Sequence, residues 1–268
     1  MRLATWNVNS LKARLSRVEE WLAYARPDVV CLQETKLSDA AFPHLAFSAL
    51  GYESVHHGNG RWNGVAILSR VGVDDVVPGF AEGVEADTDT RVLTARCGGV
   101  SVTSVYVPNG RSLDDEHYRY KLDWLAKLRE HLAVVASPAE EVAVCGDFNV
   151  APEDRDVWDP GAFAGSTHVS PPEREALAAL GSWGLSDGFR ACYPHEDQLY
   201  SYWDYRSGDF HEHRGMRIDL VLLSEPLESR VKWSLVDRNA RKGKQPSDHA
   251  PVLVDLDYRA DRSQGARS

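Results

Sequence analysis

Short apolar runs outnumber helical patterns along the whole chain, and that imbalance most constrains what it can fold into. RLATWNV, VVCLQ, YESVHH, VAILS, VGVDDVV, RVLTARC, VSVTSVYV, EVAVCGD, MRIDLVLLS, SRVKWSLVD and HAPVLVDLD read as strands. Only LKARLSRVEEWLAYA, HYRYKLDWLAKLREHLAVVA and PPEREALAALGSW carry helical spacing. In the first of these, Leu11, Leu15, Val18 and Leu22 fall three or four residues apart, with Ser10 in the N-cap position. The opening strand, helix and strand form one parallel α/β unit. Gly98-Gly99, between two later strands, signals a hairpin. Many hairpins and few helices do not suit a single doubly wound sheet. The expected fold class is α/β: a four-layer sandwich of two mixed β-sheets packed face to face with helices on the outside. No linker or low-complexity tract divides the chain, so residues 1–258 are expected to be a single catalytic domain. Residues 259–268, without an apolar anchor, are expected to be a disordered tail.

The strand ends carry the chemistry. RLATWNV leads into Asn7 and Asn9, and VVCLQ stops at Gln33-Glu34. VSVTSVYV ends in Tyr106-Val107-Pro108-Asn109, and VAVCG ends in Asp147-Phe148-Asn149. Asp219 opens an apolar run, and Asp248-His249 directly precede the last one. One such acid is explained by a helix cap or a solvated turn. Several brought to one sheet edge would repel each other and lose hydration unless a cation joins them. Acids and amides without clustered Cys or His suit a hard divalent ion, Mg²⁺ or Mn²⁺. Such an ion polarises phosphoryl oxygens, an amide such as Asn149 can donate to a developing oxyanion, and a His beside an Asp can act as a base or a phosphate contact. Phosphodiester hydrolysis is the chemistry this set suits. Period-two alternation would point Asp147 and Asn149 one way and turn Phe148 into the core.

Composition narrows the setting. Hydrophobic residues make up 43% and charged residues 26% of 268, ordinary values for a globular protein with a real core. No stretch is long and apolar enough to span a bilayer, and MRLATWNVNS lacks a signal-peptide core, so a cytoplasmic protein without a membrane partner is expected. Cys31, Cys97, Cys145 and Cys192 show no CxxC or zinc spacing and read as free thiols. The net charge of −10 argues against nucleic acid on its face, yet local fields need not follow the total. Arg238, Arg241, Lys242 and Lys244 stand just before Asp248-His249, and Lys36 follows Glu34 closely. A few such contacts hold DNA in a salt-sensitive way.

TWNVNSLKAR, PDVVCLQETK, NGVAILS, VYVPNG, GDFNVAP, YSYWDYR, RIDLVLLS and PSDHAPV run in order over nearly the whole chain. In these motifs the sequence resembles the exonuclease III family of abasic-site endonucleases, within the endonuclease/exonuclease/phosphatase superfamily. The resemblance implies that Glu34 is the principal metal ligand, supported by Asn7 and Asp248, with Asp147, Asn149 and His249 also in the ligand set. It implies that Asp147 works on the proton of the attacking water or the leaving oxygen and that Asn149 steadies the phosphate. Tyr106 is implied to contact the scissile phosphate, and Asp219 to orient His249. Asn109, Arg111, Lys36, Tyr202, Arg241 and Lys242 are implied or expected to touch DNA, Tyr202 by walling the pocket for a flipped-out abasic sugar. Asn9 stands where some members carry Asp, and Tyr202 where the bacterial pattern often has Trp.

The implied activity is a Mg²⁺-dependent repair nuclease, with Mn²⁺ as a substitute, that cuts duplex DNA 5′ to abasic sites and trims 3′ ends. The default oligomeric state is a monomer. A phosphodiesterase or phosphatase acting on RNA, nucleotides or lipid head groups is the alternative. A catalytically dead binding protein on the same fold is disfavoured by intact Glu34, Asp147, Asn149, Asp219, Asp248 and His249. Plainer readings cover the rest: Trp203 and Tyr205 as core aromatics, His211 and His213 in a solvated loop, and His56-His57 as a strand end.

Overall fold

In a computed structural model, residues 1–258 are described, so the expected tail lies outside the described residues. Two six-stranded sheets form the frame. The strands of the first are β1 (Arg2–Asn7), β2 (Val29–Gln33), β3 (Glu53–His57), β4 (Val65–Ser69), β11 (Val231–Val236) and β12 (Val252–Leu256), in the order β11-β12-β1-β2-β4-β3. The second holds β5 (Asp74–Pro78), β6 (Val92–Cys97), β7 (Val100–Tyr106), β8 (Val142–Asp147), β9 (Leu185–Asp187) and β10 (Asp219–Ser224), in the order β5-β6-β7-β8-β10-β9. Each is mixed: β1–β2 and β7–β8 run parallel and the other pairs antiparallel.

Alternation along the strands builds the layers. On β1, Leu3 faces the opposing sheet while Ala4 and Trp6 face outward; on β2, Val29 and Cys31 face inward, Val30 and Leu32 outward. The inward set meets Ala143, Cys145, Val221 and Leu223 of the second sheet in one core. Helix α1 (Leu11–Ala25) covers the outer face of the first sheet with Leu11, Val18, Trp21 and Leu22. Helices α3 (Glu116–Val135) and α4 (Pro171–Trp183) cover the second with Trp124, Leu125, Leu128, Leu132 and Leu180. The expected four layers are present, and no helix among the described residues is long and apolar enough to cross a membrane. All four cysteines are free; Cys31, Cys97 and Cys145 are buried.

Local details depart from the sequence reading. Two short helices, α2 (His44–Ala49) and α5 (Glu225–Glu228), and strand β9 were not expected, being too short for a periodic pattern. Ser10 does not cap α1: its φ is 85° and its side chain makes no cap bond. The N–H groups of Ser10 and Leu11 donate instead to the carbonyls of Glu34 and Thr35, at 2.7 and 3.0 Å, so the start of α1 is tied to the end of β2. Tyr205 is 51% exposed and is no core aromatic, whereas Trp203 is fully buried.

Behind β10 lies a buried charge cluster. The Arg217 guanidinium donates to both carboxylate oxygens of Asp156, at 2.7 and 3.2 Å, and to Asp187 at 2.6 Å, and Arg190 also pairs with Asp156. Arg217 and Asp156 are almost fully buried; Arg217 stands two residues before Asp219, and Asp156 ends a single 3-10 turn, Asp154–Asp156. We expect Arg217→Met to cost about 3–5 kcal/mol, because it leaves the buried Asp156 carboxylate with Arg190 as its cationic partner and removes the cation paired with Asp187. Urea unfolding checks this, and a loss below about 1 kcal/mol would show the cluster to be solvated.

Candidate active site

The same alternation that fills the core delivers polar groups to its end. Tyr106, Asp147 and Asp219 are paired across β7, β8 and β10, and all three continue the inward-facing rows of their strands. On the facing sheet, Asn7 pairs with Gln33 at the ends of β1 and β2. Where the apolar contacts stop, these ends face one another. Asn7 spans the gap, donating its Nδ2 hydrogens to Glu34 Oε1 at 2.8 Å and Asp147 Oδ2 at 2.9 Å. Its Oδ1 accepts from the Asn9 N–H at 2.9 Å, which fixes the amide's orientation.

Asp219, His249 and Asp147 form a line. Asp219 Oδ2 lies 2.8 Å from His249 Nδ1, and His249 Nε2 lies 3.8 Å from Asp147 Oδ2. Ser201, which the sequence reading passed over inside YSYWDYR, donates its hydroxyl to Asp219 Oδ2 at 2.6 Å and accepts from the Ile218 and Asp219 N–H groups. Trp6 donates its indole N–H to the His249 carbonyl at 3.2 Å, so α1's apolar layer also fixes the histidine. Burial pulls the His249 pKa down, but the charges of Asp219 and Asp147 and the Asp219 hydrogen bond outweigh it and raise it to about 10. Burial raises Asp147 to about 7 against the opposing charge of His249, with Asp219 adding to the rise. A carboxyl poised near neutrality beside a cationic imidazole can move a proton in either direction.

Around this line stand the other expected residues. Asn149 is not in β8, which ends at Asp147, and its φ is 52°, so strand alternation is not what places it. Its N–H donates to Asp147 Oδ1 at 2.9 Å and its Nδ2 to the Val107 carbonyl at 2.8 Å, while Phe148 is buried as expected. Asn109 Nδ2 approaches Asn149 Oδ1 at 3.4 Å. Burial pushes the Tyr106 phenol well up, with the nearby Glu34 and Asp147 charges adding to the rise. Arg91 lies over its ring at 4.7 Å. The Tyr202 ring stands 4.8 Å from the His249 ring in a small ladder joining His249, Tyr202 and Met216. Arg111 is exposed next to Asn109, and Lys242 is exposed on the other side.

Two expected DNA contacts have protein partners of their own. Arg241 is only 6% exposed; it donates to the Ser247 carbonyl and is packed over Phe210 and Tyr205, so it braces the loop before Asp248 instead of facing solvent. Lys36 directs its ammonium to Glu34 Oε2 at 3.0 Å and Asn9 Oδ1 at 2.6 Å. Asn9 in turn donates to Asp248 Oδ1 at 3.1 Å, which draws Glu34, Asn9 and Asp248 into one oxygen-rich cluster.

This cluster fits a hard cation. Its donors are carboxylate and amide oxygens, an ammonium already rests on one of them, and Glu34 and Asp219 both push the Asp147 pKa up, a cost that positive charge removes. Asp147, Asp219 and His249 also bring one donor atom each within 4.8 Å of one another. In that group Asp219 and His249 already bond each other, so it reads better as proton-handling machinery.

The sequence reading also missed a support beneath Asn149. Lys121, fully buried on α3, donates to the Asn149 carbonyl at 2.7 Å and pairs with Glu173, the capping-box acid of α4. His168 shares the Asn149 carbonyl through Nδ1 at 2.5 Å and approaches Asn109 with Nε2 at 3.4 Å. Burial, then the Lys121 charge, lowers its pKa to about 4. Nothing in the THVSPPE stretch marks His168 as a site residue, because its position depends on a long loop.

In the metal-free protein the His249 ring should stay protonated through neutrality and titrate near pH 10. Since the folded value exceeds the unfolded one of about 6.5, the pairing stabilises the fold below that pH and fades as pH rises toward 10. Asp219→Asn should bring the titration down. An unshifted ring titration in the wild type, read by ¹⁵N NMR, would remove Asp219 and Asp147 as its partners.

Comparison with known proteins agrees with this geometry. Residues 4–249 match the Endonuclease/Exonuclease/phosphatase family. Exodeoxyribonuclease III of Haemophilus influenzae is 32% identical over 96% of this chain and 100% of its own length. Among solved structures, an AP endonuclease from Archaeoglobus fulgidus superposes with a TM-score of 0.92 at 35% identity, over 96% of this chain and 100% of that one. A 3′ phosphatase from Neisseria, bound to a product DNA hairpin, gives 0.91 at 37% identity with the same coverage. With a family match across nearly the whole described chain and the acids, amides and histidine of the motifs gathered at one sandwich edge, the chain belongs to the endonuclease/exonuclease/phosphatase family.

Proposed function

We propose that this chain is a Mg²⁺-dependent DNA-repair nuclease that cuts duplex DNA 5′ to abasic sites and trims 3′ ends, Mn²⁺ being able to substitute. The observation that carries the reading is the Asn7 amide holding Glu34 and Asp147 side by side at the head of the Asp219–His249 pair. Named relatives that act on DNA support it: an exodeoxyribonuclease III, an AP endonuclease and a 3′ phosphatase bound to DNA.

Glu34 is the first ligand of the ion in this reading, with Asp248 beside it and Asn7 Oδ1, which keeps one lone pair after accepting from Asn9. When bound, the ion draws electron density from a phosphoryl oxygen and screens Glu34 from its acidic neighbours. Asp147 takes the proton of the attacking water or returns one to the leaving oxygen, a task its pKa of about 7 suits. His249 offers Nε2–H to a phosphate oxygen, held in line by Asp219 through Nδ1. Asn149 keeps one Nδ2 hydrogen after its bond to Val107 and presents it to the charge that develops on phosphorus-bound oxygen. Tyr106 approaches from the neighbouring strand, and Tyr202 walls the side next to His249. Asn109, Arg111 and Lys242 lie at the exposed rim where a DNA backbone would run. In this reading residues 1–258 are one catalytic domain of a monomeric, cytoplasmic enzyme.

The deciding experiment is cleavage of an end-labelled duplex with one abasic analogue, with Mg²⁺ and with chelator, beside the same duplex without the lesion. A metal-dependent cut 5′ to the lesion is expected, with shortening from 3′ ends on both duplexes; a folded protein inert on both would overturn the DNA reading. Asp147→Asn should lower turnover by about 10²–10⁴-fold with the fold intact, and near-normal turnover would take Asp147 out of the proton transfer. Tyr202→Ala should reduce abasic cleavage more than 3′ trimming; equal losses would make the ring a structural wall only.

A further inference from the structure

The loop that carries Glu34 is held in an uncommon backbone shape. Glu34 and Lys36 both have left-handed φ, 51° and 55°. Ladder-like bonds fasten the loop on two sides: the Thr35 and Lys36 N–H groups donate to the Gly64 and Asn63 carbonyls, and the Glu34 and Thr35 carbonyls accept from the start of α1. The side chain between them is Thr35, fully buried, and it has one polar partner: its Oγ1 lies 2.8 Å from His56 Nε2. His56 Nδ1 lies 2.8 Å from Asp39 Oδ1, which also accepts the Gly58 N–H at 2.8 Å. A carboxylate only accepts, so Nδ1 bears the hydrogen, Nε2 bears the lone pair, and the Thr35 hydroxyl donates to it. Burial keeps the ring neutral at ordinary pH, lowering it to about 4. The ring is stacked on Phe42 with centroids 4.3 Å apart. Glycines close both sides: a Cβ on Gly64, whose φ is +101°, would fall 2.2 Å from Thr35 Oγ1, and one on Gly58 2.3 Å from His56 Cε1. Space, stack and hydrogen bonds therefore leave the threonine hydroxyl one direction.

We propose that Thr35 and His56, anchored by Asp39, are positioning residues that fix the Glu34 carboxylate for metal binding. The relay touches neither ion nor substrate. It acts through the backbone of the residue after Glu34, so that the carboxylate meets Asn7 and the ion without first having to order its loop. The inference rests on the reading of Glu34 as a metal ligand. It assigns a task to His56, which as a strand-end histidine had none.

The test is Mn²⁺ binding to the metal-free protein, followed by the electron paramagnetic resonance of free Mn²⁺, with thermal unfolding run beside it. Thr35→Val keeps the shape and removes the donor; it should weaken binding about tenfold, within the usual range for groups that orient a ligand. Thr35→Ser restores the hydroxyl and should restore binding. His56→Phe keeps the stack on Phe42 and removes the acceptor, so it should match Thr35→Val, and the double variant should be no weaker than either. His56→Phe also carries the test if Thr35→Val does not fold. Wild-type affinity in Thr35→Val and His56→Phe, with binding lost in Glu34→Gln, would overturn the positioning role alone. Undiminished binding in Glu34→Gln would overturn the ligand reading on which it rests. Equal weakening in Thr35→Ser and Thr35→Val would also overturn the role, since the hydroxyl would then not matter.

Discussion

The carboxamide of Asn7 is the interaction on which the rest of the site depends. It reaches from one sheet to the other at the level where the apolar core ends, and it bonds a carboxylate on each side. Two acids on facing sheets would otherwise be driven apart, because each is desolvated and each carries the same charge. One amide nitrogen with two hydrogens satisfies both at once. Its remaining oxygen is tied to the Asn9 backbone, so the amide cannot turn over without breaking three bonds. The spacing of Glu34 from Asp147 is thus set by a single rigid group and by the separation of the packed sheets behind it.

Around that bridge the charges sort into two groups. Glu34, Asn9, Asp248 and Lys36 form an oxygen-rich cluster on the first sheet's side. Asp147, His249 and Asp219 form a proton-handling line on the other. The two are linked electrostatically, since Glu34 adds to the rise of the Asp147 pKa. A cation in the first group would ease the burial of charge in the second, and that coupling ties the affinity for metal to the protonation of Asp147. The supports lie one layer further out: Ser201 on Asp219, Trp6 on His249, Lys121 on Asn149 and the Thr35–His56 pair on the Glu34 loop.

Much of this was legible before the fold. The alternation in RLATWN and VVCLQ located the two faces of the first sheet, and GDFN, LQET and SDH marked the strand ends that meet. The misplaced details share a cause. Ser10 looked like a helix cap, yet the groups that satisfy α1 are carbonyls brought by β2 from more than twenty residues away. Arg241 and Tyr205 looked like a basic contact and a core ring, and each took the other's expected exposure because the loop before Asp248 folds the guanidinium under the aromatics. Asn149 points where it does because of a left-handed turn and an acceptor on Val107, not because of strand alternation.

The sequence by itself determined the layers, the strand ends and the chemical types gathered there, because period-two burial is a local property of each strand and the acids and amides are written into its last residues. Only the tertiary structure decided which of those groups touch. Asn7 and Asp147 lie 140 residues apart and Asp219 and His249 lie 30 apart, and their pairing follows from sheet order and from the inward face they share. His168, Lys121 and His56 carry no signal of their own in the sequence. Each is a common residue in an ordinary loop, helix or strand, made part of the site by neighbours distant in sequence that its buried polar atoms bond.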